Sequence, residues 1–122
     1  MRALSAVAAG GFVGSAVRSG IGLWVPTPRG AFPAGVLAVN LGGSFLLGLY
    51  LSRRERSVGG RWSLQFWAIG VLGSFTTFSA FSLDVVHLLA DGHPWTAAGY
   101  VTASVMGGLA AAVAGQRIGA FG

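Results

Sequence analysis

The residues best suited to chemistry in this chain are concentrated in one stretch, Gly73–Phe81, which reads GSFTTFSAF. Its hydroxyl side chains lie within an otherwise apolar segment: Ser74, Thr76, Thr77 and Ser79. In a helix, such hydroxyls usually donate to main-chain carbonyls one turn earlier. Their density here also favours a break, because glycine weakens a helix and hydroxyls offer its amides other hydrogen bonds. Carbonyls freed by a break are suitable ligands for a hard cation.

Three phenylalanines in this region share one helix face, because Phe75, Phe78 and Phe81 are spaced by three residues. Packing is the usual role of such a face. A phenyl ring also has an electropositive edge, so rings presented edge-on would line the path of a small anion.

Two more polar residues lie inside apolar segments. Arg18 either extends to a membrane interface or forms a basic entrance. Asn40, within LAVNLGGSF, requires a hydrogen-bond partner, which is either another helix or a polar pathway. A basic entrance beside phenyl edges suits an anion better than a cation.

No catalytic constellation accompanies these residues. The acidic residues of the chain are Glu55, Asp84 and Asp91. Its two histidines, His87 and His93, have the wrong spacing for paired ligands on one helical turn. Cysteine is absent, which excludes disulfides and thiolate metal sites. The sequence therefore predicts that the protein is not an enzyme.

Membrane spans must position these residues, because the composition is that of a membrane protein. Of the 122 residues, 53% are hydrophobic and 9% are charged, and the mean hydropathy is +0.70. We predict one all-α membrane domain, residues 1–122, with a third helix broken near its middle. Since a span needs about 20 apolar residues, the spans lie at about 3–24, 32–51, 62–90 and 95–114. The start resembles a signal peptide, but the apolar run continues to Val25, which favours a retained span.

The arginines are distributed unevenly between the two sides of the predicted bundle. Eight arginines, with no lysine, give a net charge of +5. One side carries Arg2, Arg53, Arg54, Arg56, Arg61 and Arg117, and the other carries Arg18 and Arg29. This bias predicts cytoplasmic N- and C-termini and a single orientation. The excess charge is better explained by topology and anionic lipid headgroups than by nucleic acid.

Three segments carry a resemblance to a known family. They are GGFVGSAVR at Gly10–Arg18, GVLAVNLGGSFLLG at Gly35–Gly48 and GSFTTFSAFSLD at Gly73–Asp84. In this order and spacing the chain resembles the CrcB/Fluc fluoride channels, small four-span proteins that export fluoride passively. The resemblance covers essentially the whole chain.

The resemblance implies an antiparallel dimer in the inner (cytoplasmic) membrane, with two pores near the subunit interface. It also implies a central structural sodium ion, bound by carbonyls of Gly73 and Thr76, and a vestibule at Arg18. The residues implied for the fluoride pathway are Asn40, Thr77, Phe78, Ser79, Phe81, Tyr100 and Ser104.

The chain departs from the family pattern at three positions. Ala80 replaces a threonine, and Gly108 and Ala112 replace hydroxyl residues of the polar track in span four. Members of the family are either self-pairing chains or pairs of homologous chains with fixed opposite orientations. The arginine bias and the missing hydroxyls favour the second kind, so we expect this chain to be one half of a heterodimer.

Two alternatives remain at this point. A small multidrug transporter is also a four-span protein, but it requires an acidic residue within a span, as a rule the first, and Glu55 is the first acidic residue here. A non-conducting assembly subunit is the other alternative. It would be distinguished by a partner chain that carries the complete set of phenylalanines and hydroxyls.

Overall fold

The computed structural model describes residues 2–55 and 60–121, and no strand occurs among them. The helices are α1 (Arg2–Trp24), α2 (Ala34–Glu55), α3 (residues 61–75), α4 (Phe78–Ala90) and α5 (Pro94–Phe121). Four helical segments are long and apolar enough to cross a membrane: Arg2–Trp24, Ala34–Glu55, Leu64–Ala90 and Pro94–Phe121. The prediction of four apolar helices is therefore confirmed.

Two helices extend beyond the predicted spans. Helix α2 ends at Glu55 and α5 ends at Phe121, because the helical hydrogen bonds continue into residues beyond the apolar spans. Arg53 and Arg54 lie in the last turn of α2, where a positive charge complements the carbonyl end of a helix. Arg56, which contributes to the predicted charge bias, lies outside the described residues.

The helices pack as two parallel pairs. In the first pair, Gly10 of α1 lies against the Phe66 carbonyl and Gly14 lies against the Val71 carbonyl, so both helices run in the same direction. A side chain at either glycine would overlap these carbonyls. Small residues at this spacing are typical of helices in close contact, so the sequence of α1 itself indicates this packing. In α2 and α5, which form the second pair, small residues meet in the same way.

The third span is broken at Thr76 and Thr77. Helix α3 ends at Phe75, Thr76 has φ −76° and ψ 150°, and Thr77 has φ −143° and ψ 113°. Both residues are extended, which confirms the predicted break. Most of α3, Leu64–Leu72, is a π-helix, which was not predicted from the sequence.

Few side chains are fully enclosed by the described part of the chain. The buried apolar residues are Val39, Leu72, Leu88, Ala97 and Tyr100. Large apolar side chains remain exposed on every span, as expected for helices whose outer faces contact lipid or another protein.

Candidate functional site

Asn40 of α2 holds the break through two hydrogen bonds. The Thr77 amide donates to Asn40 Oδ1 at 2.9 Å, and Asn40 Nδ2 donates to the Thr77 carbonyl at 3.3 Å. The side chain thereby satisfies both main-chain groups of an extended residue, which would otherwise be costly at membrane depth. Asn40 thus joins two helices, and it also lines a cavity.

The break removes the helical donors from two carbonyls. In a continuous helix, the amides of Thr77 and Ala80 would donate to the carbonyls of Gly73 and Thr76. Here the Thr77 amide donates to Asn40, and the Ala80 amide donates to Thr77 Oγ1 at 3.1 Å. The two carbonyls predicted to bind a cation are therefore those whose helical donors are used elsewhere.

These oxygens suit a hard cation by their chemistry, because such ions prefer oxygen ligands. Within residues 2–55 and 60–121, no group of three or more His, Asp or Glu side chains is arranged to hold a metal ion. Main-chain oxygens are consequently the better candidates for a cation site. Gly73 itself is exposed in the single chain, which leaves its surroundings open to a partner.

Arg18 of α1 contacts the end of α3. Its Nε donates to the Ser74 carbonyl at 3.2 Å, and the residue is only partly exposed. Arg18, Thr77 and Ala80 line a cavity of about 250 Å³ on one side of the break. The guanidinium is therefore anchored next to the break, which fits a basic entrance better than an extended interfacial arginine.

A second, open cavity of about 360 Å³ brings most of the predicted site residues together. Those that line it are Asn40, Gly73, Thr76, Thr77, Phe78, Phe81 and Ser104. Ser79 and Tyr100 do not line it. The hydroxyl of Ser79 instead lies 3.1 Å from Thr77 Oγ1, and Ser79 is exposed.

The close approach of α2 to the break depends on Gly43. A side chain at this position would overlap Cγ2 of Thr76. Thr76 in turn donates from Oγ1 to the Leu72 carbonyl at 3.2 Å, which fixes the orientation of its methyl group. Gly43 thus permits the contact that lets Asn40 reach Thr77.

Phenyl rings form one side of the open cavity. The centroids of Phe78 and Phe81 are 5.7 Å apart with planes inclined by 37°. Phe78 is 80% exposed, so the described part of the chain leaves most of this ring uncovered apart from its contact with Phe81. A ring exposed to this degree beside a polar break is available to a partner subunit or to a permeating ion.

The hydroxyl of Ser104 is unusual, because Ser104 Oγ is buried and has no hydrogen-bond partner in the described part of the chain. Most buried polar atoms in proteins are paired. Since Ser104 lines the open cavity, its hydroxyl is available to a ligand there.

Tyr100 is completely buried, with its ring 5.3 Å from that of Phe81. Its hydroxyl donates to Asp84 Oδ2 at 3.2 Å. The sequence reasoning assigned no role to Asp84, although an acidic residue within a span is itself a signal of a buried partner. Phe32 also contacts Tyr100 and was likewise missed. It was predicted to begin the second span, whereas α2 begins at Ala34 and Phe32 lies in the connection before it.

Comparisons with known proteins give a consistent result. A family model described as CrcB-like protein, Camphor Resistance, matches residues 5–116. The chain is 42% identical over 118 residues to the fluoride-specific ion channel FluC of Agrobacterium fabrum, covering 95% of this chain and 94% of that protein. It is 45% identical over 115 residues to FluC of Thermus thermophilus, covering 93% and 90%.

A longer relative also matches. The fluoride-specific ion channel FluC 3 of Streptomyces avermitilis is 47% identical over 117 residues, which are 95% of this chain. The match covers 57% of the Streptomyces protein.

Proposed function

Because the chain belongs to the CrcB-like family of membrane proteins, we propose that it is a subunit of a fluoride channel through which fluoride leaves the cell passively. The observation that carries this proposal is the open cavity, where hydrogen-bond donors and phenyl rings line one path. Passage through a channel involves no chemical step, so the chain is not an enzyme. The family assignment also removes the multidrug transporter alternative.

Permeation requires groups that replace the water around fluoride. The unpaired Ser104 hydroxyl supplies one donor. An amide nitrogen carries two N–H groups, and only one of those on Asn40 is used by Thr77, so the second remains for the ion. Phe78 and Phe81 add the electropositive edges of their rings. The path therefore combines oriented donors with a low-polarity wall.

A sodium ion belongs to this proposal as a structural component. The carbonyls of Gly73 and Thr76, which have lost their helical donors, would hold it. When bound, sodium supplies a positive charge that offsets the carbonyl dipoles at the break. A hard cation takes more than two oxygen ligands, so the same residues of a second subunit would complete the site.

The second subunit is a CrcB-like chain in the opposite orientation. The exposed apolar surface of the single chain supports such an arrangement, since Phe12, Phe78 and Met106 are 78%, 80% and 63% exposed. Lipid covers the faces that the second subunit leaves open. Both pores then lie near the interface, beside the two breaks.

We place this chain in the inner (cytoplasmic) membrane with cytoplasmic termini. The start of α1 and the ends of α2 and α5 lie at one end of the bundle, where Gly119 approaches Ser52. Within the described residues this end carries Arg2, Arg53, Arg54 and Arg117 against Glu55. At the other end, Arg29 Nε lies 3.8 Å from Asp91 Oδ2. The basic end faces the cytoplasm by the positive-inside rule.

The partner is a different CrcB-like chain. A subunit with such a charge bias inserts in one orientation, so two copies of it cannot readily form an antiparallel pair. Ala80, Gly108 and Ala112 lack the hydroxyls of the family pattern, which indicates that one of the two pores is impaired. Expressed alone, the chain should give no conducting homodimer. A well-formed, fluoride-conducting homodimer of mixed orientation would refute the heterodimer.

Fluoride efflux from liposomes that contain the assembled channel tests the function. We expect Phe81→Ile or Phe78→Ile to stop efflux, because isoleucine has no ring edge to present to the ion. Phe121→Ile is the matched control, since Phe121 is 90% exposed and is the last residue of α5, outside the residues that line the cavity. Efflux that is undiminished by both Phe78→Ile and Phe81→Ile would mean that the partner chain supplies the working pore. That result would instead support the non-conducting assembly subunit.

A further inference from the structure

We propose that Phe32 is a positioning residue for the fluoride path, acting by holding the Tyr100 ring against Phe81. This inference rests on the proposed path past Phe81. It concerns a residue outside the open cavity and outside the motifs that identify the family.

Four aromatic rings form a continuous column from the cavity to the loop before α2. Phe78 contacts Phe81 at 5.7 Å, Phe81 contacts Tyr100 at 5.3 Å, and Tyr100 contacts Phe32 at 5.6 Å between ring centroids. The Phe32 and Tyr100 planes are inclined by 84°, which is the favourable edge-to-face arrangement. Phe32 is the end of the column farthest from the break.

Tyr100 transmits the position of Phe32 because it has no freedom to move independently. It is 0% exposed and lies in the apolar cluster formed with Leu88 and Ala97, against which Phe81 packs. Its hydroxyl is fixed by the bond to Asp84. That bond restrains the tip of the side chain, whereas Phe32 restrains the ring. Loss of the Phe32 ring leaves space on the side of Tyr100 opposite the proposed path.

The main chain around Phe32 is itself held in place. The Ala31 amide donates to the Pro28 carbonyl at 3.1 Å, and the Ala34 amide donates to the Phe32 carbonyl at 2.8 Å. Gly30, within the first of these turns, has φ +75°, a conformation that favours glycine. The imidazole of His93 lies directly beside Gly30, so any side chain there would contact it.

The neighbouring residues complete the seat for Phe32. Pro33 is fully buried, and Arg29 pairs with Asp91 across the two connections at this end. Phe32 is 41% exposed, so it closes one end of the column and is not part of the enclosed core. A loop this well fixed presents the ring in one position, as a positioning residue requires.

The test compares Phe32→Leu with the unmodified channel and with Phe121→Leu, because Phe121 is exposed and is not one of the rings of the column. Two quantities are measured in liposomes: the fraction of vesicles that release fluoride, which reports assembled channels, and the rate of release per active vesicle. We expect the rate to fall about two- to tenfold, the factor that corresponds to one aromatic pair. Phe32→Tyr, which keeps the ring, should restore the rate.

The outcomes separate a positioning role from a merely structural one. A lower active fraction with an unchanged rate would overturn the inference, and so would an unchanged rate with an unchanged fraction. A Phe32→Tyr channel as slow as Phe32→Leu would overturn it too. Phe81→Ile is measured in the same assay. Normal conduction by Phe81→Ile would show that the proposed path is wrong. If Phe81→Ile blocks conduction and Phe32→Leu has no effect, the path stands and only the role of Phe32 is refuted.

Discussion

Replacing Asn40 with aspartate tests the path and the break together. The two side chains have nearly the same shape, and the carboxylate can still accept the Thr77 amide that lies 2.9 Å from Oδ1. The change lies at the other terminal atom of the side chain, Nδ2. An oxygen takes the place of Nδ2, which donates to the Thr77 carbonyl at 3.3 Å, and a negative charge enters the wall of the cavity.

The electrostatic effect should dominate. Two unit charges about 4 Å apart interact by about 4 kcal/mol at an effective dielectric constant near 20. A hydrogen bond between membrane helices is worth about 0.6 kcal/mol on average. A repulsion of about 4 kcal/mol on fluoride beside residue 40 corresponds to a reduction in flux of about a thousandfold. We therefore expect Asn40→Asp to block fluoride efflux even where the protein remains assembled.

Asn40→Ala separates the two effects, because it removes the hydrogen bonds without adding a charge. It leaves the amide and carbonyl of Thr77 without their partner, and each unsatisfied buried group costs about 1–3 kcal/mol. We expect this variant to lose stability but to retain more efflux than Asn40→Asp, because it adds no charge to the wall of the cavity. Efflux from liposomes, normalised to the amount of assembled channel, gives the flux, and thermal unfolding in detergent gives the stability. An Asn40→Asp channel that conducts within tenfold of the unmodified protein would refute the position of the path.

Two further predictions concern glycines near the break and on span four. Gly43→Ala should lower the free energy of unfolding by about 1–3 kcal/mol, because its methyl group would overlap Cγ2 of Thr76. Gly42→Ala is the control, since nothing lies within 4 Å of a side chain there, and equal melting temperatures for both variants would contradict the close approach. Gly108→Ser should raise the fluoride flux about threefold by restoring a donor in a place where the nearest atom, Ser44 Oγ, is 3.8 Å away. The control is Gly99→Ser, which also has free space, and a flux through Gly108→Ser no higher than through this control would show that the missing hydroxyl does not limit conduction.

The four spans and the break were predictable because their causes are local. Hydropathy over about 20 residues identifies a span, and the threonines at the break carry their own signal in the sequence. The extended conformation of Thr76 and Thr77 follows that signal closely. The Gly10 and Gly14 contacts were likewise indicated by the spacing of small residues in α1.

The partners of the polar side chains were not predictable in this way. Asn40 and Thr77 are 37 residues apart, and Arg18 and Ser74 are 56 residues apart. The hydrophobic pattern indicates only that polar side chains within a span need partners, and does not identify those partners. The roles of Asn40 and Arg18 therefore stayed open. The π-helix of α3 is a similar case, since a run of apolar residues does not distinguish it from an α-helix; in the structure this segment packs beside α1.

One hydrogen-bonding exchange links the break to the proposed cation site and the proposed fluoride path. The Thr77 amide donates to Asn40 Oδ1 instead of to the Gly73 carbonyl, which therefore loses its helical donor. Helix α4 then begins at Phe78. The start of α4 is also stabilised because Thr77 Oγ1 accepts a hydrogen bond from the Ala80 amide. That amide is then no longer available to the Thr76 carbonyl. The proposed cation ligands and the position of the rings at the start of α4 would therefore follow from a single local rearrangement. A substitution that restores the continuous helix would remove both, so loss of sodium binding and loss of fluoride conduction should occur together.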